Sequence, residues 1–262
     1  MLRRWCILLA MLALTVGTAL AASSASAATT SAGRFTSGGP VQLVGAVGQT
    51  QGIGNQAEST NWSGYAATTG LYTSVSASWT QPTGICTRGD QYGAFWVGLD
   101  GYTSRTVEQT GSEVDCIGRT AEYYAWYEMY PSASVSYSNT VKAGDHFSAS
   151  VTYEGNNEFS LFIADTTQGW SQTITASLAG AARSSAEVIV EAPCCTINGG
   201  GTLPLTDFGT MGFTSSMADG SAIGNAGGVT DIVMVDGTGR DKDTISALSA
   251  GEGFSATWLR SN

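Results

Sequence analysis

An all-β fold, a sandwich or barrel of short antiparallel strands, is the architecture this sequence predicts. Strand-like segments recur along it with Gly, Asn, Asp and Ser between them at turn-like spacing, and none carries a helical period. Glycine is abundant at 34 of 262 residues, while charged residues make up 12%. Runs of Ala, Leu, Glu and Lys, the composition of helices, are missing beyond the N-terminus. Many short strands in a chain of this length fill one large β domain or two small ones.

In chain order, Met1-Leu2-Arg3-Arg4 precedes an apolar run to about Leu20. Small-residue sites follow at Ala19-Leu20-Ala21 and Ala25-Ser26-Ala27, so residues 1–27 read as a secretory signal peptide. The protein is therefore expected to be secreted, with no membrane association once the signal is cleaved. Residues 28–59, rich in Ala, Ser, Thr, Gly and Gln, read as a pro-segment or linker, and residues 60–262 as the folded domain. The domain opens on Asn61-Trp62-Ser63-Gly64-Tyr65. Strands are then expected at Ser74–Trp79, Ala94–Asp100, Tyr123–Tyr130, His146–Tyr153, Glu158–Ala164, Ser171–Ala176, Ala186–Glu191, Asp231–Val235 and Phe254–Leu259.

Three of these have two unlike faces, because side chains alternate along a strand. Phe95, Val97 and Leu99 form an apolar face, opposite Trp96, Gly98 and Asp100. Glu122, Tyr124, Trp126, Glu128 and Tyr130 share one side, opposite Tyr123, Ala125, Tyr127 and Met129. Ala186, Val188 and Val190 suit a core, which turns Glu187, Ile189 and Glu191 the other way. Aromatics mixed with carboxylates make a poor dry core and a good groove for an extended polymer. Cys6 leaves with the signal, so four cysteines remain in an exported chain, with three possible pairings. Cys86–Cys116 is favoured because it ties the loops flanking the Trp96 strand, which leaves Cys194 and Cys195.

Composition and motifs exclude much. A net charge of −10 disfavours nucleic acid and anionic membranes as partners. Few carboxylates and fewer cations leave little charge pairing for acid to break, which suits work at low pH. The single histidine, His146, follows a turn and has no Gly-x-Ser-x-Gly nucleophile to serve. No phosphate-binding glycine loop is present, and the cysteine spacings do not suit zinc, so no metal and no cofactor are expected. Asp207-Phe208-Gly209 and Asp236-Gly237-Thr238 do not supply the paired Asp-Thr/Ser-Gly motifs of aspartic peptidases. Carboxylate or carboxamide chemistry is what remains.

In this order the motifs resemble those of the glutamic peptidases, or eqolisins. The resemblance rests on Asn61–Gly64, Trp96–Gly101 (Trp-Val-Gly-Leu-Asp-Gly), Gln109–Gly111 (Gln-Thr-Gly), Tyr123–Pro131, Gly144-Asp145 and Ala186–Glu191. It implies a jelly-roll or concanavalin-like β-sandwich of two curved antiparallel sheets with the site on a concave face. It implies too a pepstatin-insensitive acid endopeptidase acting on polypeptides, and a monomer is the default state. Residue by residue, it places the catalytic glutamine on Gln109 and the catalytic glutamate on Glu191, and it puts Trp62, Trp96, Asp100, Tyr124 and Glu128 around the substrate. The strand pattern agrees for Glu191. For Gln109 a turn or bulge is expected, because Val107 would share its face in a regular strand. Tyr124 and Ala192-Pro193 depart from the family pattern, which has acidic residues there. A secreted carbohydrate-binding sandwich, or a glycosidase pairing Glu187 or Glu191 with Glu128, is the competing reading.

Overall fold

The structure, a computed structural model, describes residues 39–49, 55–87, 89–193 and 201–262. The signal peptide, Cys194 and Cys195 lie outside these residues. The strands of the first half are β1 (Leu43–Gln49), β2 (Asn55–Ser59), β3 (Trp62–Ala67), β4 (Ser74–Thr80), β5 (Gln91–Leu99), β6 (Val107–Ile117), β7 (Thr120–Tyr130) and β8 (Val135–Ser136). After these come β9 (His146–Gly155), β10 (Glu158–Asp165), β11 (Trp170–Ser177), β12 (Ala186–Glu191) and β13 (Thr210–Ala218). The chain closes with β14 (Ser221–Ala222), β15 (Val229–Met234), β16 (Asp243–Ile245) and β17 (Phe254–Trp258).

These strands form two sheets, one ordered β1-β2-β15-β3-β12-β5-β6-β7-β8 and the other β11-β10-β9-β4-β13-β17-β16, with β14 on β13. Neighbours run antiparallel except β2 and β15, which pair in parallel. Between the sheets lies the core: Phe95, Val97, Leu99, Val188 and Val190 meet Val75, Trp79, Phe147, Val151, Leu161, Ile163 and Phe213. Each such side chain contributes roughly 1.5–3 kcal/mol by leaving water. Trp79 stacks on Phe147, and its indole N–H crosses to the Ser112 hydroxyl on β6 at 2.8 Å. That bond pins β6 from behind, since Ser112 and Gln109 lie on opposite sides of the strand. The expected Cys86–Cys116 disulfide is present, with its Cα atoms 5.3 Å apart.

All nine strands expected from alternation are present. The pattern does not reveal β6, β13, the two strands before Thr60 or the short β8, β14 and β16. In β6 three carboxylates interrupt the apolar rhythm, and β13 carries a register shift between Thr214 and Met217. The sheet also extends upstream of the expected start at Thr60, because β1 and β2 add to its edge. Edge strands are held by backbone hydrogen bonds, which a Gly- and Gln-rich composition does not advertise.

Candidate active site

The face of the nine-stranded sheet that points away from the core carries a second aromatic cluster: Trp62, Trp96, Trp126, Val107, Ile189 and Ile232 among others. Strand alternation sends Phe95 and Val97 into the core and Trp96 to this face; in β12 it does the same with Val188 and Val190 against Ile189 and Glu191. Small residues make room. Ala94 and Gly98 flank Trp96 on β5, and Gly111 lies opposite Trp96 on β6. A Cβ at Gly111 would sit 2.5 Å from the Trp96 Cβ and collide with the Phe95 carbonyl. Glycine ends the Gln-Thr-Gly motif so that the indole can lie against the sheet. Gly111→Ala is expected to lower stability by roughly 1–3 kcal/mol and to displace Trp96. Urea denaturation and near-UV circular dichroism measure both, and an unchanged midpoint would show that the close approach does not matter.

Glu191 stands opposite Trp62 on β3 and Ala94 on β5. Its carboxyl receives the Trp96 indole N–H at 2.9 Å and the Asn61 amide at 3.4 Å. Trp62 packs edge-on against Trp96, with ring centroids 4.9 Å apart. Gln109 lies opposite Gly98 on β5 and Glu128 on β7, and donates an N–H to Glu128 at 2.8 Å. Trp96 spans the gap between them: one end bonds Glu191, and its benzo edge lies over Gly98, where a Cβ would meet it at 2.8 Å and the Gln109 Cβ at 3.1 Å. No bulge is needed to bring Gln109 to this face. β6 is regular, and Val107 shares the face as part of its aromatic and aliphatic lining.

Burial dominates the electrostatics. Glu191 is pushed up to about 8 by desolvation, against the pull of Trp96, Asn61 and Trp62. Desolvation, then the charge of Glu191, holds Glu128 well above the usual range, with only Gln109 opposing. Glu191 thus has more donors and ionises first, while Glu128 keeps its proton.

The other expected residues divide. Tyr124 lies on the same face and donates its hydroxyl to Asp115 at 2.9 Å. Asp100 is occupied elsewhere: its carboxylate accepts the backbone N–H groups of Arg183 at 2.7 Å and Ser184 at 2.8 Å. With a backbone φ of 71°, it turns the chain out of β5 and clamps the turn into β12. Asp100 therefore positions the strand of Glu191 and does not present a free carboxylate to a ligand. Sequence reasoning missed Glu113 and Asp115, both buried. Desolvation followed by the neighbouring Asp115 holds Glu113 well above the usual range. Their signal was available, because four and six residues after Gln109 a regular strand returns to the same face. Asn61 was visible only as part of a motif, and the structure makes it a ligand of Glu191.

Residues 60–257 match the sequence profile of the Peptidase A4 family. The chain is 28% identical to aspergillopepsin-2 of Aspergillus niger over 211 residues, 71% of this chain and 72% of that protein. It is 33% identical to scytalidopepsin B of Scytalidium lignicola over 138 residues, 50% of this chain and 51% of that one. Among solved structures it resembles scytalido-glutamic peptidase with a transition state analog inhibitor, at a TM-score of 0.67 and 25% identity, covering 76% of this chain and 98% of that chain.

Proposed function

Because the chain belongs to the Peptidase A4 family, the eqolisins or glutamic peptidases, and is thus a peptide hydrolase, we propose that it is a secreted acid endopeptidase working through a Gln109–Glu191 dyad. Family membership removes the support for the carbohydrate readings. The observation that carries the dyad is the pairing, on one sheet face, of a donor-held carboxyl with a carboxamide fixed by Glu128.

Ionised Glu191 takes a proton from a water molecule as that water attacks the scissile carbonyl. Gln109 cannot titrate, so its amide donates to the developing oxyanion at any pH, and its bond to Glu128 holds the amide in orientation. Collapse of the tetrahedral intermediate breaks the C–N bond as Glu191 returns the proton to the leaving amine. Desolvation is the largest cause of the raised Glu191 value. Wetting the face removes that cause, and the Trp96, Asn61 and Trp62 donors then favour the carboxylate in acid. Trp62, Trp96 and Tyr124 line the path of an extended polypeptide.

The test is cleavage of a denatured protein between pH 2 and 6, with pepstatin and a chelator present. Gln109→Ala is expected to lower kcat by about 10²–10³-fold with little change in KM, because the oxyanion contact exists only in the transition state. Full activity in that variant would remove Gln109 from the mechanism. No cleavage by processed wild type anywhere in the range would remove the acid-peptidase reading itself.

A further inference from the structure

We propose that the cavity at the ends of β2 and β15, beside the start of β16, is a binding site for a small tetrahedral oxyanion of the phosphate or sulfate class, with the Lys242 ammonium as its charged wall. None of the groups involved belongs to the proposed dyad, so the site is independent of the peptidase reading.

Lys242 directly precedes β16 and is 2% exposed. Its main chain is fixed on both sides. The N–H donates to the Met234 carbonyl at 2.7 Å, and the Lys242 carbonyl accepts the Leu259 N–H at 2.9 Å and the Arg260 N–H at 3.1 Å. The side chain therefore has a rigid base, yet its head is poorly served. An ammonium has three hydrogens to donate, and among the described residues Nζ finds one acceptor, the Leu203 carbonyl at 3.4 Å. Nor does it form an ion pair among them. Asp236 gives its carboxylate to Arg240 at 2.7 Å and to the N–H and hydroxyl of Thr238. Asp243, the next residue, accepts the Ser63 hydroxyl. A buried charge without a partner is costly, and burial is the leading cause that lowers Lys242 to about 8. Below that value the ammonium is charged in a place that lacks a counter-ion.

Lys242 lines a cavity of about 320 Å³ together with Thr60, Gly201, Thr202 and Gly237. At Gly201 and Gly237 the wall borders open space, where a Cβ would meet nothing within 4 Å. Thr202 donates its hydroxyl to Thr60 at 3.2 Å, and Thr60 donates to the Gln42 side chain at 3.2 Å. Hydroxyls rotate, so this relay can turn a hydrogen toward a guest. A guest with a negative charge and several acceptor oxygens completes the shell of the lysine. Carboxylic acids lose their charge near pH 4, whereas phosphate and sulfate keep theirs in acid. The groups around Lys242 favour acid too. The acids that act on it are Asp243 and Asp236. Asp243, raised to about 7 chiefly by burial, is neutral in acid, and Asp236 stays paired with Arg240. Asp241 beside them is exposed to solvent.

The experiment melts the full chain at about pH 5 in phosphate, against chloride of equal ionic strength. Wild type is expected to gain about 3 °C or more, saturating by about 20 mM phosphate. Most of that gain should vanish by about pH 8, where Asp243 is ionised and Lys242 is half neutral. Lys242→Met, similar in length and uncharged, should lose the gain at both pH values. Thr202→Val keeps the charge and should raise the half-saturating phosphate concentration by about threefold or more. A phosphoserine peptide, titrated beside inorganic phosphate, separates the two sources of the group. Tighter binding of the peptide makes the ligand a phosphoryl group on a polypeptide, and equal or weaker binding makes it the free ion. No saturable gain in wild type would overturn the site, as would an equal gain in Lys242→Met. Should that variant fail to fold, an unchanged half-saturation in Thr202→Val overturns it instead.

Discussion

Glu191→Gln is expected to cut peptide hydrolysis by about 10³-fold or more while making the full-length protein more stable at pH 7. The loss follows from chemistry, because a carboxamide of equal size cannot accept the proton of the attacking water, and general-base catalysis is worth roughly 10²–10⁴-fold. The gain follows from burial. In the folded chain Glu191 titrates near 8, against an ordinary value of 4.5. At pH 7 the fold must therefore hold a proton that the unfolded chain releases, a deficit of about 3 kcal/mol. A carboxamide needs no proton and still accepts the Trp96 N–H. Asn61 would face one N–H of the new amide, which trims the gain. Turnover together with thermal melts at pH 7 and pH 3 makes the check, with the stability difference expected only at pH 7. A folded variant with wild-type turnover would falsify the assignment of Glu191.

The second large effect is the direction in which stability runs with pH. Glu108 is pushed up to about 9 and Asp243 to about 7, both chiefly by desolvation. Burial likewise holds Glu113, Glu128 and Glu187 well above the usual range. Groups whose folded values are raised contribute fully below the unfolded value, near pH 4, and that contribution is lost as pH climbs toward the folded values. Each such group removes about 1.4 kcal/mol per pH unit across its window, so even three weigh heavily against a typical stability of roughly 5–15 kcal/mol. Lys242, lowered to about 8 by burial, acts in the opposite sense only above that pH. With 11 Lys and Arg in the chain against 21 Asp and Glu, protonating the carboxylates leaves only a modest positive charge. The full-length protein should melt highest near pH 4, and its Tm should fall by about 10 °C or more by pH 8. Calorimetry across that range decides the matter, and a Tm that rises instead would mean these carboxyls are hydrated in the folded protein.

Much of this was legible because period-two alternation is strict where one face is buried. Phe95, Val97 and Leu99 announced the core side of their strand, and Val188 and Val190 announced theirs; Trp96 and Glu191 followed by default. The same rule misled at Val107, since an apolar side chain was assigned to the core when the site's own face is aromatic and aliphatic. Asp100 shows a different limit. Its acidic character reads as functional, yet its shortest bonds come from the backbone N–H groups of Arg183 and Ser184, far off in sequence and without a side-chain signature. The segment just before β1 was beyond reach for a similar reason, because its bonds to Gly101, Thr60 and Asn61 run mostly through its own main chain.

The dryness of the site face has a thermodynamic corollary. Excluding water from Glu191 favours its protonated form, so proton uptake and dehydration of this face are one linked equilibrium, and each must favour the other. The charge of Glu191, once formed, in turn helps hold the protons of Glu113 on β6 and Glu128 on β7. Between about pH 8 and 4.5, the dry and ordinary values for Glu191, each unit of acidification favours the dehydrated face by up to about tenfold. Acid alone therefore keeps this face dry.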